Sequence, residues 1–100
     1  MPTYVCQYHD QWFLWSTVVD APTSEAMGRD EMEERMVREV PVDRDLAVEY
    51  VHRRMERAKT KGTSNRDCDS LEDLVTVNRA GPNETRATFE EVLAMVGIDA

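Results

Sequence analysis

The hydrophobic and polar positions divide the chain into an extended N-terminal part and a helical remainder. Tyr4-Val5-Cys6-Gln7-Tyr8 and Trp12-Phe13-Leu14-Trp15-Ser16-Thr17-Val18-Val19 are rich in β-branched and aromatic residues, the composition of strands. His9-Asp10-Gln11 between them is short enough for a hairpin turn, although it lacks the glycine that eases one. Asp20-Ala21-Pro22 closes the extended pattern.

From Arg29 to Val40, Met32, Met36, Val37 and Val40 recur at helical spacing behind leading acids, and Pro41 stops the run. A longer helix follows, with Asp43 as N-cap, Asp45 in its first turn, Lys59 and Lys61 in its last, and Gly62 as its stop. Leu46, Ala47, Tyr50, Val51, Met55 and Ala58 form its broad apolar face. Residues 62–69 read as polar loop. Ser70-Leu71-Glu72-Asp73 opens another helix close to a capping-box pattern, though Val75-Thr76-Val77 suits a strand equally well. After a loop around Gly81-Pro82, Thr88-Phe89-Glu90-Glu91 is a full capping-box pattern. Phe89, Val92, Leu93 and Val96 then make one apolar stripe, ended by Gly97.

These elements predict an α+β fold: an N-terminal two-stranded antiparallel hairpin packed with three to four helices, with a third strand near 74–78 as the alternative to helix there. A lone hairpin is marginal in water and leaves two open edges, so either residues 75–77 or a second copy of the chain is expected to join it. Five of the seven aromatic residues (Tyr4, Tyr8, Trp12, Phe13 and Trp15) fall within twelve positions and occupy both faces of the hairpin by alternation. If the helices cover one face, a homodimer covers the other. The competing use of such a face is a ligand or partner surface, since Trp and Tyr are over-represented at binding hot spots.

Composition narrows the class. One hundred residues make a single domain, 1–100. The longest uninterrupted apolar run is five residues (Val92–Val96), against the ~20 a membrane-spanning helix needs. The first nineteen residues hold no Lys or Arg, so a secretory signal is not expected, and Cys6 and Cys68 make no disulfide framework. These features point to a cytoplasmic protein. The net charge is −8, and ten of the twelve cations are Arg. In composition the chain resembles the small acidic proteins of salt-accumulating haloarchaea, which implies a fold that weakens when salt is withdrawn. Molar salt shortens the Debye length to about 3 Å, so crowded carboxylates cease to repel over useful distances.

Candidate chemistry is sparse. Cys6-x-x-His9 with Asp67-Cys68-Asp69 offers zinc-type ligands, but strand alternation sends positions three apart to opposite faces, so no metal site is expected. Neither histidine, His9 or His52, is placed by any pattern beside a Ser or Cys nucleophile, and no phosphate-loop, dinucleotide or metalloprotease motif occurs. No cofactor is implied. The charge, however, is segregated: residues 53–66 hold six cations (Arg53, Arg54, Arg57, Lys59, Lys61 and Arg66) and one acid, Glu56. Helical phase puts Arg53 and Arg57 beside the apolar arc and Arg54 near its middle, where its guanidinium is expected to meet a carboxylate. The leading expectation is a non-enzymatic, dimeric interaction or regulatory module. The alternative is an anion- or nucleic-acid-binding accessory protein working through the basic stripe 53–66, with Arg53, Arg54 and Arg57 as its candidate anion or partner contacts and the net charge of −8 speaking against nucleic acid.

Overall fold

In the computed structural model, which describes residues 3–98, Thr3–Tyr8 (β1) and Gln11–Ser16 (β2) pair antiparallel, with Tyr4 opposite Trp15, Cys6 opposite Phe13 and Tyr8 opposite Gln11. The turn between them is the two residues His9 and Asp10, both at positive φ (48° and 61°), the signature of a type I′ turn built without glycine. The third strand is Ala21–Pro22 (β3), paired to Trp15 and Ser16, and the sheet order is β1-β2-β3. The 74–78 segment does not join this sheet. Leu71–Val75 is a short helix (α3) capped by the Ser70 side chain, and Thr76 continues its hydrogen bonding into a turn. The Ser70 cap and the burial of Leu71, Leu74 and Val75 together outweigh the β-propensity of Val75-Thr76-Val77.

Arg29–Glu39 (α1) and Arg44–Lys61 (α2) cover one face of the sheet, while α3 and Phe89–Met95 (α4) cover the other. Strand alternation sorts the side chains. Val5, Trp12 and Leu14 pack on Met32, Met36 and Val37 of α1 and on Ala47, Val51, Met55 and Ala58 of α2. Cys6, Phe13 and Trp15 pack on Leu71, Leu74 and Val75 of α3 and on Val92 and Leu93 of α4. Phe13 and Trp15 are fully buried, and each such ring hides roughly 150–250 Å², which makes them the largest apolar contributions to the fold. Arg29 joins α1 to α2, donating through Nε to Glu33 (2.7 Å) and through Nη2 to Glu56 (2.8 Å) while lying 5.5 Å from the centroid of Trp12. No helix among the described residues is long and apolar enough to cross a membrane.

Both flanks of the β1–β2 hairpin are paired with segments of the same chain. Beyond β2, Trp12 exchanges two backbone hydrogen bonds with Met27, each 2.8 Å, and the Leu14 carbonyl accepts from Thr23 N–H. Beyond β1, Gln7 N–H donates to Gly62 (2.8 Å), while Ser64 binds Val5 twice, through its backbone N–H and its Oγ. Residues 63–65 of the polar loop are therefore buried against β1. Thr63, Ser64 and Asn65 satisfy one another and β1, so their polarity carries the edge pairing.

Candidate functional site

The polar strip along β1 also brings the cations together. Helix α2 ends at Gly62, whose left-handed backbone (φ 93°) reverses the chain onto β1 and sets Arg66 beside the last turns of the helix it has just left. A cleft of about 380 Å³ results, walled by Arg53, Arg54 and Arg57 of α2, by Arg66, and by the rings of Tyr4 and Tyr50. Four guanidinium groups line it against one carboxylate, that of Asp67.

Two of these arginines are held by backbone carbonyls. Arg54 Nη2 donates to the Thr3 carbonyl at the outer edge of β1 (2.5 Å), and its guanidinium lies 5.7 Å from the centroid of Tyr50. Arg57 Nη1 donates to the Ser64 carbonyl (3.0 Å). Each guanidinium carries five N–H donors in a rigid fork, so one backbone bond orients the group and leaves further donors for a ligand. Arg53 is exposed and pairs with Glu49 one helical turn back (2.5 Å). Among the described residues Arg66 makes no ion pair, and it is exposed at the rim.

The carboxylate expected beside Arg54 is replaced by a main-chain acceptor. The physical reason is that α2 buries a narrower face than its apolar residues suggest. Ala47, Val51, Met55 and Ala58 are buried, while Leu46 and Tyr50 are exposed, so Arg54 lies at the border of the core and reaches the open end of β1.

The five aromatic residues of the hairpin divide between the core and the cleft. Trp12, Phe13 and Trp15 are core residues, covered on both faces by helices of their own chain. Within the single chain Trp12 is 3% exposed and Phe13 and Trp15 are fully buried. Tyr8 packs edge-on against Phe89 (5.6 Å between centroids) and stacks on His9 (4.0 Å). Tyr4 is the one member of the five that lines the cleft.

Cys6 and His9 do not converge. The Cys6 thiol is fully buried, donates to Thr63 Oγ1 (3.7 Å), and is pushed up to about 12 by its burial, whereas His9 is exposed at the turn. A thiol so desolvated is neither a ready nucleophile nor a thiolate ligand at neutral pH. Among the described residues no three His, Cys, Asp or Glu side chains are grouped to hold a metal ion. The stripe 53–66 accounts for all four arginines of the cleft, whereas Tyr4, Tyr50 and the main-chain acceptors Thr3 and Ser64 are added to it only by the fold. Compared with known proteins, the chain matches no family, no curated protein and no solved structure.

Proposed function

We propose that the protein is a non-enzymatic binding module whose working surface is the arginine cleft, and that it takes an anionic group of a partner molecule. One observation carries this reading: four arginines from two segments line a single cleft on a chain whose net charge is −8. Like charges gathered against the overall balance cost electrostatic energy unless a ligand or acid offsets them; Glu49 pairs with Arg53 and Asp67 stands in the lining, two carboxylates to four guanidinium groups. All four cations are Arg, whose planar fork suits carboxylate and phosphate oxygens better than a Lys ammonium does. The anchoring of Arg54 and Arg57 on main-chain carbonyls lowers the entropy lost when a ligand binds. Cys6 is desolvated beside Thr63, and His9 and His52 are solvent-exposed and away from it, an arrangement that favours binding over nucleophilic chemistry.

The test is a titration of the isotope-labelled protein with inorganic pyrophosphate at low salt, followed by two-dimensional amide NMR. Shifts should concentrate at Thr3, Tyr4 and residues 64–67 and be lost in an Arg53→Gln/Arg66→Gln double variant, which removes the two exposed cleft cations without touching the β1 edge. A spectrum unmoved by pyrophosphate would overturn the reading.

A further inference from the structure

We infer that the anion this cleft takes is carried by an acidic protein segment with an apolar anchor, lying along the exposed face of α2; the inference rests on the cleft reading above. Leu46, Tyr50, Arg53 and Arg57 are spaced by four, three and four residues, so at about 100° per residue they fall within roughly 60° of one another on the helix. They form one stripe that changes character along its length. Its N-terminal half is apolar and open to solvent, with Leu46 58% and Tyr50 52% exposed, and Val42 continues it just before the helix at 53%. Its C-terminal half is the arginine wall of the cleft.

A ligand confined to the cleft would leave Leu46 and Val42 without a use. A nucleic-acid strand leaving the cleft in that direction would meet Glu49, Asp45 and Asp43 where it needs cations for its next phosphates. The one cation at that end, Arg44, is already paired with Glu34 (2.9 Å). A peptide suits both halves, because it can present carboxylates to Arg57 and, in exchange for the exposed Glu49, to Arg53, and an apolar side chain to Leu46. The spacing is set by the helix: seven to eleven residues at 1.5 Å separate Leu46 from Arg53 and Arg57, about 10–16 Å. An extended peptide spans that distance in about three to five residues at roughly 3.3 Å each. The partner segment is therefore a Leu or Phe with an Asp/Glu cluster three to five positions away.

The experiment is fluorescence anisotropy of three labelled probes at low salt: a peptide with Leu-Phe about four residues from Asp-Glu-Asp, the same peptide with Ser-Ser for Leu-Phe, and an oligo-dT strand of similar length. The anchored peptide should bind at least about tenfold tighter than the Ser-Ser control. Leu46→Asp, an exposed position in the first turn of α2 where an acid suits the helix dipole, should abolish that tenfold, while the added charge weakens the two acidic peptides by a similar small factor. Arg53→Gln/Arg66→Gln should weaken both peptides. Equal binding of the two peptides, indifferent to Leu46, would overturn the anchored-segment inference while leaving the anion reading intact. No binding of either peptide or of pyrophosphate would overturn both. Tighter binding of oligo-dT than of the anchored peptide would overturn the choice of a protein ligand. A concentration-dependent dimer that Leu46→Asp dissociates would make a second copy the occupant and overturn it equally.

Discussion

Asn78 and Ala87 are joined as if by a strand pairing: Asn78 Nδ2 donates to the Ala87 carbonyl and Asn78 Oδ1 accepts from the Ala87 N–H, both at 2.8 Å. The same amide also donates to the Val75 carbonyl at the end of α3 (2.8 Å) and accepts from Ala80 N–H (3.1 Å). One buried side chain thus ties the end of α3 to the residue just before the Thr88 cap of α4 and bridges the loop between them. Asn78→Ala strands buried main-chain groups at both ends, and should destabilise the fold by roughly 2–4 kcal/mol. Asn78→Asp, which turns two donors into acceptors facing carbonyls, should be no milder. Chemical denaturation of the two variants checks this; a loss below about 1 kcal/mol would mean the loop finds other partners.

Gly62 and Gly97 both adopt left-handed backbone, at φ 93° and 90°, but only Gly62 is crowded. A Cβ there would lie 2.9 Å from Leu71 Cβ and 3.1 Å from Leu71 N, whereas at Gly97 nothing lies within 4 Å. Gly97→Ala should therefore cost about 1 kcal/mol from backbone strain alone, and Gly62→Ala roughly 2–4 kcal/mol. Because Gly62 also turns the chain that brings Arg66 to the cleft, its variant should weaken pyrophosphate binding even where the fold survives. Comparison of the two melting curves, with a binding titration on each folded variant, reads both effects.

The His9-Asp10 turn holds two non-glycine residues at positive φ. Asp10→Gly relieves one of them without touching the His9–Tyr8 stack, and should stabilise the fold by about 0.5–1 kcal/mol. A destabilised Asp10→Gly variant would show that the aspartate makes a contribution larger than its strain.

Acid should loosen the start of α4. Glu91 accepts from Thr88 N–H in the capping box (3.0 Å), and that backbone hydrogen bond, with the Thr88 side chain, holds its carboxyl below the ordinary glutamate value of 4.5. A lowered folded-state value means that its contribution is complete above the unfolded value and is lost as pH falls through the folded one, because the unfolded chain takes up the proton first. Glu91→Gln keeps an acceptor but does not titrate in this range. Its melting temperature should fall less between about pH 6 and pH 3 than that of the parent chain. Parallel slopes would mean that other carboxylates, Glu34 beside Arg44 and Glu56 beside Arg29 among them, carry the whole acid response.

With twenty acids to twelve cations, the fold is expected to strengthen as KCl is raised toward molar concentration. Tryptophan emission and far-UV circular dichroism along a salt series measure it. Trp12 and Trp15 are covered by helices of their own chain, so at fixed salt the blue-shifted emission should not depend on protein concentration. A red shift on dilution would show that a second copy shields the rings after all, and a fold indifferent to salt would remove the halophilic reading of the composition.

Local signals in the chain set most of the elements. Thr88 and Glu91 form the capping box that their spacing implies, Ser70 caps α3, Gly62 ends α2 in left-handed backbone, and β1 and β2 lie where β-branched and aromatic residues are dense, although β2 ends at Ser16 and the β-branched Thr17-Val18-Val19 form a turn. Each of these depends on residues a few positions apart, where backbone geometry and side-chain reach are fixed in advance. What is decided at long range could not be read the same way. Periodicity names the apolar residues of α2, yet only packing against β1 and β2 chooses Ala47, Val51, Met55 and Ala58 for the core and leaves Leu46 and Tyr50 outside. Alternation predicts two aromatic faces on the hairpin, yet whether a partner or the chain's own α3 and α4 fills the second face depends on contacts across some sixty to eighty residues of sequence. The arginine cleft divides in the same way. Its cations are gathered by sequence between Arg53 and Arg66, but their arrangement around one cavity requires the Gly62 reversal and the Ser64–Val5 pairing, which bring Tyr4 of the first strand to the end of α2. Local chemistry settles which elements form, because its interactions close within a turn or a cap; burial and edge pairing settle which faces remain open, because those free energies exist only once distant segments have met.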